Sequence, residues 1–145
     1  MQWRLEENLS PSTYQRLRDI AEPVTFSKGT VLIAEGDQDR TLFILQSGSV
    51  SMAQKTHNGE QQLGTIGPGD VVGEFAFIDE RPRSATVTVG ETAQVLKLDH
   101  AKVMRALVDN PEALAELLQA LAVRVTLRLR SYMSEQSIQA ELSKV

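Results

Sequence analysis

Apolar residues fall at alternate positions through much of 24–98, and at every third or fourth position on either side of that stretch. The first spacing belongs to strands and the second to helices. Ser10-Pro11 reads as a helix start, because serine caps an N-terminus and proline fits the first turn. Tyr14, Leu17 and Ile20 follow at helical spacing to about Ala21, and Pro23 ends the run. Short stretches rich in β-branched residues then predict strands at 24–26, 30–34, 41–46, 50–55, 61–66, 85–89 and 93–98. Lys28-Gly29, Glu35-Gly36-Asp37, Ser47-Gly48, His57-Asn58-Gly59 and Gly67-Pro68-Gly69-Asp70 link them, with Ser47-Gly48 read as a hairpin. Turn signals every eight to twelve residues point to a sandwich or jelly roll rather than to alternating βαβ units. Gly36, Gly48, Gly59, Gly69 and Gly73 stand where the backbone must turn or approach closely.

The helical period returns at Asp99, a plausible N-cap for a helix over 100–108. Asn110-Pro111 restarts the helix, with Glu112 in its first turn, where it favours the dipole. Leu114, Leu117, Leu118, Leu121 and Val125 predict one apolar stripe, which Leu129, Tyr132 and Met133 extend. The stripe covers about 20 residues, some 30 Å at the rise of an α-helix, which exceeds what covering one face of a small roll requires. The spacing 114, 118, 121, 125 is near-heptad and favours pairing of two such helices, and Arg128 interrupts the seam at the next position. A charge there is costly unless it finds a carboxylate or a bound ligand as partner. Residues 136–144 read as a polar, frayed tail.

Composition narrows the possibilities. With 145 residues and 41 % hydrophobic content, the chain suits one domain with a single core. Having no cysteine, it holds neither a disulfide nor a thiolate metal site. Residues 1–8 do not form a signal peptide, and no run approaches the roughly 18 apolar residues that span a bilayer. A cytoplasmic protein with no membrane partner is the expectation. Net charge is −4, from 15 basic and 19 acidic residues, which argues against nucleic acid as a partner of this chain. Only His57 and His100 are present, too few for the metal cluster of a jelly-roll enzyme such as a cupin, and no nucleophile–base pattern stands out. No catalytic residue, no metal and no cofactor is expected.

The chemistry concentrates in residues 73–87, G-E-F-A-F-I-D-E-R-P-R-S-A-T-V. Gly73 and Glu74 sit at the mouth of a short helix, and Arg83 follows nine residues after Glu74, behind Pro82 and ahead of a strand. An arginine beside the free N–H groups of a helix start, here Phe75 and Ala76, suits a small anion, which a guanidinium can meet with two parallel hydrogen bonds. Glu74 can accept from a hydroxyl, so the pair suits a compact ligand with one phosphate charge and one free sugar hydroxyl. Phe75, Phe77 and Ile78 are expected to anchor the helix to the roll. A surface ion pair between Glu74 and Arg83 is the plainer alternative, one that contributes about 0–1 kcal/mol.

Taken position by position, with Ala76, Pro82-Arg83-Ser84-Ala85 and the preceding succession of glycine turns, the stretch resembles the phosphate-binding cassette of cyclic nucleotide-binding domains. This family includes the bacterial catabolite activator and the regulatory subunit of protein kinase A. The resemblance covers roughly residues 9–110. It implies a mainly β fold with flanking helices: an antiparallel β jelly roll, or double-stranded β-helix, with an N-terminal helix, a short cassette helix and a long C-terminal helix. The whole chain, 1–145, then forms one cyclic nucleotide-binding domain, with the β-roll at about 9–99, the cassette at 73–87 and C-terminal helices over 100–145.

The resemblance implies a ligand, cyclic AMP or cyclic GMP. Gly73, Glu74, Phe75, Ala76, Arg83, Ser84 and Ala85 would hold its sugar and phosphate, and Ser84 would contact the phosphate or a guanine. Met52, Leu63 and Val72, with Gly64 close by, would line the base slot. Where the family often has an aromatic ahead of Gly-Glu, this chain has Val71-Val72. Arg124 and Arg128 fall near where the family's last helix reaches the ligand. The resemblance also implies a homodimer through the C-terminal helix. The function expected is a sensor that couples occupancy to movement of the C-terminal helices. It would be a stand-alone sensor or a regulatory piece of something longer, since no helix-turn-helix can be placed. The alternative is an interaction or dimerisation domain of the same fold without a ligand. A cyclic dinucleotide belongs among the ligands to test.

Overall fold

The computed structural model describes residues 2–143, and the side chains of residues 2–135. A short 3-10 turn at Leu5–Asn8 precedes helix α1, Pro11–Ile20. Ser10 caps α1 by accepting from the Thr13 N–H. The strands are β1 (Glu22–Phe26), β2 (Val31–Ile33), β3 (Leu42–Thr56), β4 (Gly59–Ile66), β5 (Val71–Val72) and β6 (Thr86–Leu98). Helix α2, Glu74–Asp79, lies between β5 and β6, and α3 (His100–Leu107) and α4 (Pro111–Ser143) follow. Asp99 caps α3 through the Lys102 N–H, and Asn110 caps α4 through the Ala113 N–H.

All pairings are antiparallel, in the order β1-β6-β3-β4, with β2 also on β6 and β5 on β3. This is the antiparallel β-roll with flanking helices that the sequence predicts. The two long strands correct the sequence reading. Residues 42–56 run as one strand with no hairpin at Ser47-Gly48, and 86–98 is likewise one strand. Gly48 instead has φ +85° inside β3, where the register against β6 shifts. A Cβ at Gly48 would collide with the carbonyl of Thr92, so this glycine permits a bulge with close strand approach rather than a turn. Pro23 also lies inside β1 and not at the end of α1, which stops at Ile20.

Two apolar clusters use the strand period. Leu42 and Ile44 point to the layer formed with Leu17, Leu98, Val103, Leu107, Leu117 and Leu121. Phe43 and Leu45 point into the roll with Val72, Val87, Val89 and Val95. Strand β3 is therefore buried on both faces, which is why its alternation of polar and apolar residues is lost at 42–45. Each fully buried Leu or Val contributes about 1.5–3 kcal/mol.

The apolar stripe of α4 divides in two. Ala113, Leu117, Ala120 and Leu121 are buried against the roll and α1. Leu118, Leu129, Tyr132 and Met133 stay exposed on another side of the helix. Leu121 is thus committed to the domain core and not to the expected seam. The α4 backbone is helical to Ser143, so the frayed ending expected from residue 136 is not seen there; the side chains of 136–143 lie outside the described residues.

Candidate functional site

Strand β5 delivers the chain to α2, and the turn between them makes one wall of a recess. Ile33, Met52, Val72, Gly73, Glu74, Phe75, Ala76, Arg83, Ser84, Ala85 and Val87 surround it. It holds about 40 Å³, room for roughly three waters, and opens to solvent. That depth suits a charged head group, with the remainder of a ligand on the open side.

Gly73 is required where it stands. Its φ is +88°, and a Cβ would come within 2.6 Å of Arg83 Nη1 and 2.7 Å of the Thr41 carbonyl oxygen. The Gly73 carbonyl accepts from the Phe77 N–H and from Arg83 Nη1, both at 3.2 Å. No side chain caps α2, and among the described groups none accepts from the N–H of Phe75 or Ala76. These two donors remain for a ligand.

Arg83 is 5 % exposed. Nη2 donates to the Thr41 carbonyl at 2.8 Å and to Asp39 Oδ2 at 3.2 Å. With the bond to Gly73, three of the five guanidinium N–H groups are used, and two have no described partner. Burial pushes the Asp39 carboxyl up, but hydrogen bonds from Thr41 and the Arg83 charge outweigh it and hold the group below its usual range.

Glu74 is 3 % exposed. It does not pair with Arg83, although both face the recess. Its Oε1 accepts instead from Arg128 Nη1 on α4. Arg128 Nη2 also donates to the Val71 carbonyl at 2.6 Å and lies 3.3 Å from Asp70 Oδ1. Arg124 grips Asp70 with two bonds, Nε to Oδ1 at 2.8 Å and Nη2 to Oδ2 at 2.7 Å. Two buried carboxylates and two arginines thus tie α4 to β5 and the start of α2.

The structure brings Met52, Val72, Gly73, Glu74, Phe75, Ala76, Arg83, Ser84 and Ala85 to one recess. Leu63 and Gly64 are not on its wall. Gly64 pairs with Met52 and Gln62 with Ala53, so Leu63 is the extra residue of a bulge and is partly exposed. Arg124 faces a second cavity of about 460 Å³, shared with Trp3, Thr65, Ile66 and Leu127. Its guanidinium lies 5.7 Å from the centre of the Trp3 ring. Arg128 reaches the recess only through Glu74. Of the three residues expected to anchor α2, Phe77 alone is buried; Phe75, on the wall of the recess, and Ile78 are exposed.

Sequence reasoning missed Asp39, Thr41 and Asp70, which hold the arginines from 44, 42 and 54 residues away. It also missed Arg40, which donates to the carbonyls of Ala76 and Phe77 and so closes the C-terminal end of α2. Asp70 carried one signal, an acidic residue directly after the Gly67-Pro68-Gly69 turn and before two buried valines. Among the described residues no group of three His, Asp or Glu could hold a metal ion, and no helix is long and apolar enough to cross a membrane.

Fold and recess together define a β-roll domain with a buried arginine and unpaired helix N–H groups at one recess. The chain belongs to the cyclic nucleotide-binding domain family, which matches it over residues 23–110. It is 31 % identical over 120 residues to a CRP-like cAMP-activated global transcriptional regulator of Mycobacterium tuberculosis, covering 82 % of this chain and 54 % of that one. A cAMP-dependent protein kinase regulatory subunit of Dictyostelium discoideum is 34 % identical over 98 residues, 63 % of this chain and 30 % of that one. The N-terminal domain of a transcriptional regulator from Streptomyces coelicolor superposes with a TM-score of 0.74 at 31 % identity, over 84 % of this chain and 88 % of that one. The chain spans about half the length of the first relative and about a third of the second. All three relatives carry the names of regulators.

Proposed function

We propose that this chain is a cyclic nucleotide sensor and regulatory module. The two free donors of Arg83, with the N–H groups of Phe75 and Ala76, take the cyclic phosphate, and Glu74 accepts the 2′-hydroxyl. Met52, Val72 and the apolar wall of the recess carry the sugar and base. The observation that supports this most is the state of Arg83, which is buried but bonded mainly to neutral carbonyls. A guanidinium so placed retains charge for an anionic ligand. The relatives named for cyclic AMP favour a cyclic nucleotide over other small anions.

Occupancy would be read through α4, which shares Glu74 with the recess. The exposed ridge of Leu118, Leu129, Tyr132 and Met133 suits a second copy of the chain, since one face of a long helix with this much apolar surface gains by pairing. Calorimetric titration with cyclic AMP, cyclic GMP and a cyclic dinucleotide tests the reading, with sedimentation of the same samples to read the mass. A mononucleotide is expected to bind at about micromolar Kd or tighter, roughly −8 kcal/mol, to a dimer, and Arg83→Ala to abolish the heat. Unchanged affinity in that variant would show that the phosphate lies elsewhere; a monomeric mass would remove the dimer.

A further inference from the structure

A cavity of about 460 Å³ lies between the N-terminal segment, the end of β4 and α4, and shares no wall residue with the recess. That volume is in the range of sites that take small molecules, roughly 300–1,000 Å³. Its edges are fastened. Gln2 Nε2 donates to the Pro68 carbonyl at 2.8 Å, and the Leu5 N–H donates to the Gly69 carbonyl at 2.9 Å. The segment that carries Trp3 is thus held across the turn after β4. On α4, Leu127 follows Arg124 by about one turn, and both line the cavity. Leu118 and Leu129 of the exposed ridge stand about half a turn round the helix from Leu127. Pairing through that ridge leaves the cavity open.

The charges beside this cavity cancel. Asp70 and Glu74 face Arg124 and Arg128, two against two. A charge on a ligand would find no counter-charge there. Donors do remain. Arg124 spends Nε and one N–H of Nη2 on Asp70, so three of its five N–H groups have no described partner. The Nε1 N–H of Trp3 is buried and has no acceptor, a costly state for a donor. Acceptors are spent, because Asp70 is already taken by Arg124, Arg128 and the Val71 N–H. The indole of Trp3, Ile66 and Leu127 supply apolar surface. A flat ring suits that surface, and a carbonyl oxygen suits the donors.

We propose that this cavity is a second ligand site, for a small uncharged aromatic compound that carries a carbonyl acceptor. The ring lies among Trp3, Ile66 and Leu127. The carbonyl oxygen accepts from the unspent N–H groups of Arg124, and a turn of the indole brings Trp3 Nε1 to share it. Arg124 keeps its two bonds to Asp70 throughout. The site stands apart from the cyclic nucleotide reading, since it uses no residue of the recess.

The test uses the single tryptophan of the chain. Its indole N–H gives one cross-peak in a nitrogen–proton NMR spectrum, and that peak reports on this cavity. Benzamide, benzoate and toluene are titrated in turn, the same ring with a neutral acceptor, with a charged one and with none. Benzamide is expected to move the peak to saturation with a Kd of about 1 mM or tighter, within reach of so small a ligand. Benzoate and toluene should bind about tenfold more weakly or worse, the first for its uncompensated charge and the second for the missing bond to a charged donor. Thr65→Phe, which puts a ring at the cavity wall, should weaken benzamide by about tenfold or more through steric exclusion, with the amide peaks of the recess unchanged. An indole peak that stays still at about ten times the expected Kd would overturn the proposal. Equal or tighter binding of benzoate would make this a site for anions, and equal binding of toluene would leave the acceptor without a role; either overturns it. Full binding of benzamide to Thr65→Phe would place the ligand elsewhere. A peak that moves with protein concentration and not with benzamide would give the cavity to a second copy of the chain and overturn the proposal too.

Discussion

Arg83 and the pair Arg124–Arg128 are all substantially buried arginines within one domain, and their surroundings differ in kind. Arg83 sits inside the roll against two backbone carbonyls and one carboxylate, Asp39, whose side chain is 53 % exposed. Arg124 and Arg128 sit on α4 against Asp70 and Glu74, whose side chains are 6 % and 4 % exposed. Carbonyls orient a guanidinium without neutralising it; buried carboxylates neutralise it. The first arrangement leaves a charge available to an anion, and the second fastens a helix. Residue type does not separate the two roles. The charge of the partners does.

Removing a partner on each side should expose that difference. Asp70→Ala would leave Arg124 without its carboxylate and Arg128 with one fewer. Taking one member from a buried pair costs about 3–5 kcal/mol, so thermal unfolding should move down by many degrees, and a shift of only a degree or two would show that water already serves these groups. Gly73→Ala acts on the other side. It forces a side chain into φ +88° against Arg83 Nη1 and the Thr41 carbonyl, a strain of about 1–3 kcal/mol. Chemical denaturation would measure the loss, and ligand titration should show Arg83 displaced. Full binding with normal stability would mean that the turn relaxes freely.

Asp39→Asn should have the smallest effect, because the group is half exposed and screened. The folded carboxyl is held below its ordinary value of 3.8. A depressed carboxyl contributes stability that is present above its unfolded value and lost as pH falls through its folded one. The variant should therefore lose a shallow acid limb below about pH 3.8 and be less stable than wild type at neutral pH by under about 1 kcal/mol. Acid titrations followed by circular dichroism would show it, and identical acid limbs would place Asp39 outside the Arg83 network.

What could be read in the sequence was local. Ser10, Asp99 and Asn110 act as caps because capping needs only neighbours two or three residues on. The Gly73–Glu74 start of α2 and its distance to Arg83 were legible for the same reason: they lie within ten residues of chain. Long strands were not. A glycine inside β3 is indistinguishable by period from a glycine in a turn, because the close approach of Thr92 that demands it comes from β6. The helix stripe was over-read likewise. Leu117, Leu118 and Leu121 share one hydropathy, and only the packing of α1 and α3 decides that Leu118 stays outside. The pairing of Glu74 was hidden by distance. Arg83 stands nearer in sequence, but the partner is Arg128, 54 residues on, and α4 must fold back before they meet.

The most direct test of the division between the two arginine environments is the side-chain NMR signal of each guanidinium during titration with cyclic AMP. The account predicts a large shift for Arg83 as its two free donors meet the phosphate, with Arg124 unmoved on Asp70 and Arg128 still bonded to Glu74. A silent Arg83 alongside a strongly shifted Arg124 or Arg128 would contradict it.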